Sequence, residues 1–481
     1  MLPALAGVVA VPLLIDGMGL DRFALLTLVW VVAGHASAFD LGMGSALTHA
    51  VAERIGRGRP GEVPGVVGAA LVLAGGAGAL AGAALFVLAP TLAYGVLNVP
   101  AGLEAEATAG FRLLALGLPL ITLTSSLRGA LEAHQRFDLG SLIRVPLGVM
   151  VTVGPLLLLP FTDRFDALVG ALVVVRGLGL AAYVVALWRA TGALRGLRVE
   201  RSAWRGLLRY GGWISVATGS GVTIEYASRF LIGSVLPVAT IAYFATPADL
   251  IAKALLLPSA IVGVLFPTLS ATLAADPRRG AVLIGRSSLA VLALMGPAML
   301  GVVALAPEGL ALWIDAGFAA QATRPLQWLA MAALVNGLAT VTTASLVSVG
   351  RPDLTVKPLL IEVPLFLVAL WLVLHGGYGV AGVAAVYAAR VGVDLLIMSA
   401  LCARHVPETG PALARVIAAA TFVGGASWAV ASAEPLVGRA AVGALALVGG
   451  GALGWATLVG ASDRALLLER VAALRARLRV R

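Results

Sequence analysis

The chain has a single cysteine and few charged residues for its 481 positions. Asp, Glu, Lys and Arg make up 12% of it, against about 25% in an average soluble domain. One cysteine, Cys402, excludes an intramolecular disulfide framework. The five histidines are too far apart for a ligand cluster, and no HExxH, CxxC or Walker motif occurs. The sequence therefore predicts no catalytic residue, no metal site and no bound cofactor.

Long hydrophobic runs dominate what is present. Hydrophobic residues account for 60% of the chain, and its mean hydropathy is +0.99. A helix that crosses the hydrocarbon core of a bilayer needs about 20 mostly apolar residues. The sequence predicts an all-α polytopic membrane protein with about fourteen such helices. They lie near residues 2–16, 23–47, 64–90, 110–131, 141–161, 166–188, 209–232, 238–266, 281–306, 325–349, 356–375, 379–402, 411–432 and 437–460.

Arginine is concentrated in alternate loops between these runs. One set of loops holds the arginines at 54–59, 128–136, 189–209, 278–286, 351 and 404, whereas the other set mixes acidic and basic residues. Because basic loops stay on the cytoplasmic side, both termini are predicted to be cytoplasmic. The terminal segment RALLLERVAALRARLRVR is predicted to lie as an amphipathic helix on the anionic inner leaflet. Contact with membrane lipids accounts for part of the net charge of +10, and no nucleic acid is needed as a partner.

Two segments indicate an internal repeat. AHQRFDLGSLIRVPLGV (133–149) and VSVGRPDLTVKPLLIEVPLFLV (347–368) share Arg-x-Asp-Leu followed by Val-Pro-Leu. The two Arg-x-Asp motifs are 215 residues apart, and each comes after four predicted helices of its own half. The repeat predicts two six-helix bundles related by pseudo-twofold symmetry, plus two C-terminal helices.

This pattern predicts five parts of the chain. They are an N-terminal six-helix lobe (1–195), a basic cytoplasmic linker (196–208), a C-terminal six-helix lobe (209–405), two additional transmembrane helices (406–460) and a basic amphipathic cytoplasmic tail (461–481).

Three stretches carry a resemblance to a known family. They are FDLGMGSALTHAVAERIGRG (39–58), LRGALEAHQRFDL (127–139) and RFLIGSVLPVATIAYFATPADLIAKALLLPSAIVGVLFPTLS (229–270). They resemble the lipid-linked oligosaccharide flippases, the Wzx-type polysaccharide-biosynthesis branch of the multidrug/oligosaccharidyl-lipid/polysaccharide exporter superfamily. The resemblance covers nearly the whole chain, and its third stretch is the most specific.

The resemblance implies a fold and an activity. The two bundles would form a V around a central cavity in the bacterial inner membrane. The protein would move an undecaprenyl-pyrophosphate-linked oligosaccharide from the inner to the outer leaflet, by alternating access driven by an ion gradient. Glycosyltransferases and the polymerase of the same pathway would be its partners, besides membrane lipids.

Basic residues inside the predicted spans are candidates for the substrate-binding cavity. A pyrophosphate head needs a cationic path, and arginine offers a planar fork of donors to phosphate. The alternative for each residue is that it reaches the membrane interface or pairs with a neighbour, as Lys253 could with Asp249 and Arg390 with Asp394. The candidates are Arg144, Arg176, Arg229, Lys253, Lys357 and Arg390.

Arg229 begins the motif Arg-Phe-Leu-Ile-Gly, in which related flippases often have an acidic residue just before the arginine. Here that position is Ser228, and Glu225 lies one helical turn earlier. Two interpretations are open. Glu225 and Arg229 form a structural ion pair, or Arg229 lines the cavity while Glu225 holds it or carries a coupling proton.

Carboxylates inside the spans are candidates for ion coupling, with H⁺ or Na⁺ as the coupling ion. They are Glu225, Asp249, Glu362 and Asp394. Asp40 is predicted instead to cap a break in the second helix. Pro247, Pro258 and Pro267 predict that the eighth span is kinked.

Two other functions compete with the flippase. A cation-coupled multidrug exporter shares the superfamily, but its cavity would be rich in acid and poor in arginine. An integral-membrane polysaccharide polymerase or ligase would be an enzyme with a large outer loop that carries a catalytic Arg or His. The predicted outer loops are short, and the longest, near 307–324, has no histidine. We therefore expect a transporter and not an enzyme.

Overall fold

A computed structural model describes residues 2–34, 42–433, 436–439 and 441–445. Over these ranges the chain folds into helices and forms no strand, which confirms the predicted all-α class. The helices are α1 (Leu2–Met18), α2 (Leu20–Gly34), α3 (Met43–Gly56), α4 (Val63–Thr91), α5 (Glu104–Ala133), α6 (Phe137–Leu158), α7 (Phe165–Ala190), α8 (Trp204–Val235), α9 (Thr240–Ala252), α10 (Leu256–Ala275), α11 (Pro277–Trp313), α12 (Ala316–Ser348), α13 (Asp353–Val356), α14 (Leu359–His375), α15 (Gly379–His405) and α16 (Gly410–Ser432).

Ten stretches of described helix are long and apolar enough to cross a membrane. Each coincides with a predicted span, and the protein is a multi-pass membrane protein as predicted. The spans predicted at 2–16 and 209–232 lie in α1 and α8. The span predicted at 23–47 is divided between α2 and α3, and its residues 35–41, with Asp40, lie outside the described residues. Most of the span at 437–460 and the tail at 461–481 lie outside them as well.

The described chain divides into two compact units. The first unit is Met1–Thr246 with Val363–Val380, and the second unit is Pro247–Glu362 with Ala381–Arg481. The lobe and linker boundaries predicted from the sequence remain a prediction.

In the first unit, small residues let α4 and α5 pack closely. A Cβ added at Gly78 would lie 2.3 Å from the hydroxyl of Thr122, and one at Gly82 would lie 2.5 Å from the carbonyl O of Ala115. The glycine-rich stretch Gly75–Gly82 therefore serves helix contact, because glycine lets two backbones approach.

The segment that precedes α8 lies against the beginning of α4. The backbone N–H of Glu200 donates to the carbonyl O of Gly65 at 3.1 Å. One turn further along α4, a Cβ at Gly68 would lie 2.2 Å from the carbonyl O of Arg198. The basic linker is thus fixed to the first unit by backbone contacts that leave no room for a side chain.

Helix α8 packs along the early helices of the first unit. In its N-terminal half, a Cβ added at Gly42 would lie only 2.5 Å from the carbonyl O of Gly211 on α8. The φ of +64° at Gly42 also favours glycine. Past its end, Asn98 accepts from the N–H of Val238 at 3.0 Å, and its own N–H donates to Gly233 at 2.7 Å. These contacts hold both ends of α8.

In the second unit, α11 and α12 form an antiparallel pair whose first turns are capped. Asp276 accepts hydrogen bonds from the backbone N–H groups of Arg278 and Arg279 at the start of α11, and Asp315 accepts one from Phe318 at the start of α12. Each carboxylate satisfies amides that have no partner within the helix.

The eighth span is interrupted as predicted. A 3₁₀ turn, Lys253–Leu255, separates α9 from α10. Pro258 follows it, and a proline has no N–H to donate to the carbonyl O four residues earlier, here that of Ala254. The α-helical hydrogen-bond pattern is therefore lost at the turn, whereas Pro247 and Pro267 lie inside continuous helices.

Two turns 215 residues apart have the same backbone geometry. Each follows a long helix, α5 or α12, and each enters the left-handed region, with φ +58° at Gln135 and +76° at Gly350. The N–H of the next residue then donates to a carbonyl O in the last turn of the preceding helix, at 3.1 Å for Arg136 and 3.0 Å for Arg351. This is the C-terminal arrangement that helices commonly adopt.

The side chains of the repeated motif also match. Arg136 donates to both carboxylate oxygens of Asp138 at 3.0 Å, and Arg351 donates to those of Asp353 at 3.0 and 3.2 Å. These hydrogen bonds raise the pKa of each arginine. The repeat predicted from the sequence is thus present in both the backbone and the side chains of the two turns.

We predict that Gly350→Ala lowers the thermal unfolding midpoint in detergent, whereas Gln135→Gly raises it. No atom lies within 4 Å of a Cβ at Gly350, so the cost of about 1 kcal/mol comes from the left-handed backbone alone. Gly392, inside α15 and equally open, provides the control, because alanine is favourable there. Equal midpoints for Gly350→Ala and Gly392→Ala would contradict the backbone argument.

Candidate functional site

Arg229 is the most deeply buried of the predicted cations. It lies on α8 with 2% of its surface exposed, beside the fully buried Ser228. Its Nη1 donates to the carbonyl O of Thr27 on α2 at 3.5 Å, and its guanidinium lies 5.8 Å from the centre of the Tyr226 ring. The side chain of Glu225 lies outside the described residues, so both interpretations of the Glu225 and Arg229 pair remain predictions.

Arg176, on α7, also contacts α2. It is half-buried on α7, and its Nη2 donates to the carbonyl O of Ala33 at 3.0 Å. In the described part of the first unit no carboxylate forms an ion pair with it. The structure therefore brings Arg176 and Arg229 to two carbonyls of α2 that are six residues apart.

An apolar groove lies beside Arg229 in the first unit. It has a volume of about 470 Å³ between α8 and α14, and its lining side chains are Ala227, Phe230, Leu231, Leu367, Val368 and Trp371. Residues 227, 230 and 231 share one face of α8, because helical neighbours recur every three or four positions. Arg229 leaves that face for α2, so α8 has a cationic side and an apolar side.

In the second unit, Arg390 forms an ion pair with Glu362. Its Nε and Nη2 both lie 3.0 Å from Glu362 Oε2, and the two side chains are 15% and 6% exposed. The alternative pairing with Asp394, one turn along α15, is therefore wrong. The facing helix α14 supplies a carboxylate with better geometry than a neighbour on the same helix.

Glu362 uses only one of its oxygens in this pair. Its Oε1 is buried and has no hydrogen-bond partner among the described residues. Asp394 is half-buried and within electrostatic reach of both Arg390 and Glu362. The structure thus brings together two of the predicted ion-coupling carboxylates around one guanidinium.

The remaining candidate cations belong neither to the arginines that contact α2 nor to the cluster around Arg390. Lys253 lies in the 3₁₀ turn, where its Nζ donates to the backbone carbonyl of Asp249 at 2.7 Å. Lys357 is exposed and pairs with Asp353 at 2.8 Å, in the second of the two repeated turns. Arg144 is exposed on α6.

One cluster was not predicted. Arg22 donates to Glu106 and to Asp163 at 2.9 Å each, and Glu106 also accepts from the backbone N–H of Phe165. The cluster joins α2, α5 and the start of α7. The sequence did carry a signal for this cluster. The basic Arg22 and the acidic Glu106 and Asp163 all belong to the loops that mix acidic and basic residues.

A family profile matches this chain. The profile described as "Polysaccharide biosynthesis protein" matches residues 69–315, slightly more than half of the chain. Its match runs from α4 to α11 and includes Arg176, Arg229 and Lys253.

Relatives of known name agree with this match. A Shigella flexneri protein named "Putative O-antigen transporter" is 23% identical over 410 residues, which cover 84% of this chain and 95% of that protein. Two solved structures show the same fold. One is an inward-facing multidrug resistance MATE family transporter of the MOP superfamily, with a TM-score of 0.73, 13% identity, and 84% and 95% of the two chains covered.

The other is the lipid II flippase MurJ in an inward closed conformation, with a TM-score of 0.69 and 11% identity, covering 95% of this chain and 98% of that one. The resemblance predicted from the three sequence stretches is confirmed. Because the family profile matches more than half of its length, this chain belongs to the polysaccharide biosynthesis protein family.

Proposed function

We propose that the protein moves an undecaprenyl-pyrophosphate-linked oligosaccharide, such as an O-antigen, exopolysaccharide or capsule repeat unit, across the bacterial inner membrane. The observation that carries this proposal is Arg176, a half-buried cation within a predicted membrane span, held by a backbone carbonyl and by no carboxylate in the described part of its unit. Such a residue is costly in a membrane, at about 2.5–3.5 kcal/mol on insertion scales, which favours a functional role.

A cation held by a neutral acceptor keeps its positive charge for a ligand. A guanidinium suits phosphate, since two parallel N–H groups match two phosphate oxygens. Arg176 would offer one such group to a pyrophosphate, and Arg229, which contacts the same helix α2, is the second residue that we propose for this contact. The relative from Shigella flexneri supports a lipid-linked glycan as the substrate, and the MurJ fold supports a flippase.

A lipid-linked substrate also carries a long hydrocarbon chain. The apolar groove at Phe230 and Trp371 lies on the side of α8 opposite to the contact of Arg229. Helix α8 would thereby present an apolar surface to the hydrocarbon chain of the substrate and a positive charge to its pyrophosphate head.

The second unit would couple transport to an ion gradient. Glu362 has one buried oxygen without a hydrogen-bond partner among the described residues, next to Arg390 and Asp394. A proton or Na⁺ at this oxygen would change the balance of charge in the cluster and weaken the hold on Arg390. Glu225 and Asp249 remain further candidates for the same role.

The arginine-rich loops place both termini in the cytoplasm in this proposal. Glycosyltransferases and the polymerase of the same pathway would then meet the protein at opposite faces of the membrane. The fold shared with a MATE transporter also permits the second candidate, export of organic cations. Arg176 argues against it, because a fixed positive charge repels a cationic substrate.

We predict that Arg176→Ala and Arg229→Ala reduce transport to background without preventing membrane insertion. The measurement is the leaflet accessibility of a fluorescent undecaprenyl-pyrophosphate oligosaccharide in liposomes that contain the purified protein. Arg112→Ala is the control, since Arg112 is an exposed arginine on α5 over the ring of Phe86. If both variants transported at the wild-type rate while Arg112→Ala did too, the role of the two arginines would be wrong.

We also predict that Glu362→Gln abolishes the stimulation of transport by an imposed gradient. Glutamine preserves the shape but neither pairs with Arg390 by charge nor binds a proton in this pH range. Breaking a buried ion pair lowers the stability of the fold by about 3–5 kcal/mol, because one charge is left buried and unpaired. The double variant Glu362→Gln, Arg390→Gln removes both charges and is therefore expected to recover stability. The assay compares driven with undriven transport, under a pH gradient and, separately, a Na⁺ gradient.

Glu308→Gln is the matched control for this experiment, because Glu308 pairs with Arg439 in the same unit. Stimulation that survives in Glu362→Gln as well as in Glu308→Gln would rule out coupling through Glu362. The gradient that stimulates the wild type identifies the ion.

A further inference from the structure

A second cavity lies in the first unit, away from Arg176 and Arg229, and part of its lining is polar. It has a volume of about 700 Å³, between α3 and the segment that leads into α8. Its polar lining consists of His49, Glu53, Arg54, Ser202, Arg209 and Tyr210. A space of this size holds a small ligand.

Two aromatic rings form one wall of the cavity. The rings of His49 and Tyr210 are stacked, with centroids 4.7 Å apart and an angle of 4° between their planes. Both side chains line the cavity and are exposed, and Tyr210 retains 43% of its surface. Aromatic rings give a flat apolar face with polar atoms at the edge, which suits a sugar ring.

The charge of the cavity is positive. Arg54 and Arg209 line it, and its one carboxylate, Glu53, already pairs with Arg57 at 2.8 Å. Arg54 is held by the carbonyl O of Ala50 at 3.1 Å and pairs with Glu62, whose Oε2 lies 3.6 Å from its Nε, so its charge is largely balanced. Arg209 is exposed on α8. Arg209 is therefore the accessible cation of the cavity, beside an arginine that is already fixed by its own ion pair.

The position of the cavity fits a ligand that comes from the membrane surface. Arg54 and Arg209 both belong to the loops predicted to be cytoplasmic, next to the linker that lies on the first turns of α4. The cavity also adjoins the close contact of Gly42 with Gly211. A ligand in it would touch α3 and α8, the two helices that this contact holds together.

We propose that this cavity binds the sugar-phosphate headgroup of the lipid-linked substrate on the cytoplasmic side, before the headgroup reaches Arg176 and Arg229. This inference rests on the proposed function and adds an entry site to it. The aromatic wall binds the sugar, Arg209 binds the phosphate, and Glu53 and Ser202 offer acceptors to sugar hydroxyls. A soluble sugar phosphate has the same chemistry and is distinguished below.

The test is the binding of farnesyl-pyrophosphoryl-N-acetylglucosamine to the full-length protein in lipid nanodiscs. We expect Arg209→Ala to weaken binding about tenfold, as loss of a charge-assisted hydrogen bond does. Arg205→Ala is the matched control. It removes the same charge from an exposed position one turn earlier on α8, which does not line the cavity, and we expect its Kd to stay within about twofold of wild type. Tyr210→Ala should weaken binding, and Tyr210→Phe should not.

The competitors identify the source of the ligand. Inorganic pyrophosphate, a soluble sugar nucleotide and phosphatidylglycerol in the disc are compared with the lipid-linked probe. Preference for the probe supports the entry site, whereas equal competition by the sugar nucleotide assigns the cavity to a soluble ligand and overturns it. An equal loss in Arg205→Ala and Arg209→Ala, or no loss in either, also overturns it.

The liposome assay separates the two proposals. If the wild type transports the lipid-linked substrate while Arg209→Ala binds the probe normally, the entry site fails and the flippase stands. If the wild type binds the probe through Arg209 but transports nothing, the proposed function fails and the cavity remains a binding site.

Discussion

The cost of placing positive charge among apolar helices governs this structure. A guanidinium in a membrane span needs acceptors that remain after each backbone carbonyl has formed its helical hydrogen bond. Helix α2 supplies them in the first unit: the carbonyl O of Thr27, inside the helix, and that of Ala33, in its last turn, each accept a hydrogen bond from an arginine. Arg229 of α8 and Arg176 of α7 are thereby directed at one helix.

The second unit meets the same cost in another way. Arg390 is neutralised by Glu362, and both are almost fully buried. An ion pair cancels charge, whereas a carbonyl leaves it in place. At Arg176 the first unit therefore keeps a positive charge that would suit an anionic substrate. At Glu362 the second unit has a carboxylate oxygen, without a hydrogen-bond partner among the described residues, that would suit a coupling ion. This division of roles is the physical basis of the proposed mechanism.

Under the proposed function, contacts of α8 would connect Arg229 to the conformational change of transport. Its beginning lies against α3 at Gly42, and its end is joined to Asn98 by two backbone hydrogen bonds. Alternating access requires that such contacts break in turn. The cavity at His49 and Tyr210 lies beside the first of them, so a headgroup bound there would act directly on the helix that carries Arg229.

Local features could be read from the sequence because they depend on neighbouring residues. Hydropathy sets the helices that span the membrane, Pro258 removes a hydrogen bond and places the 3₁₀ turn, and the Arg-x-Asp motif closes on itself in both turns. The repeat could be found for the same reason. Even the left-handed residue at position 350 is visible as a glycine, although Gln135 at the corresponding place is not.

By itself, the sequence determined that the chain is an all-helical membrane protein with an internal repeat and buried cations, since apolar runs and charge positions fix these properties. Only the tertiary structure decided which groups meet. Arg390 pairs with Glu362 on a facing helix and not with Asp394 on its own helix. Arg22 forms hydrogen bonds with Glu106 and Asp163, which are distant in the sequence. The cavity between α3 and α8 likewise arises from residues about 150 positions apart. Such contacts depend on the packing of helices, which no local pattern encodes.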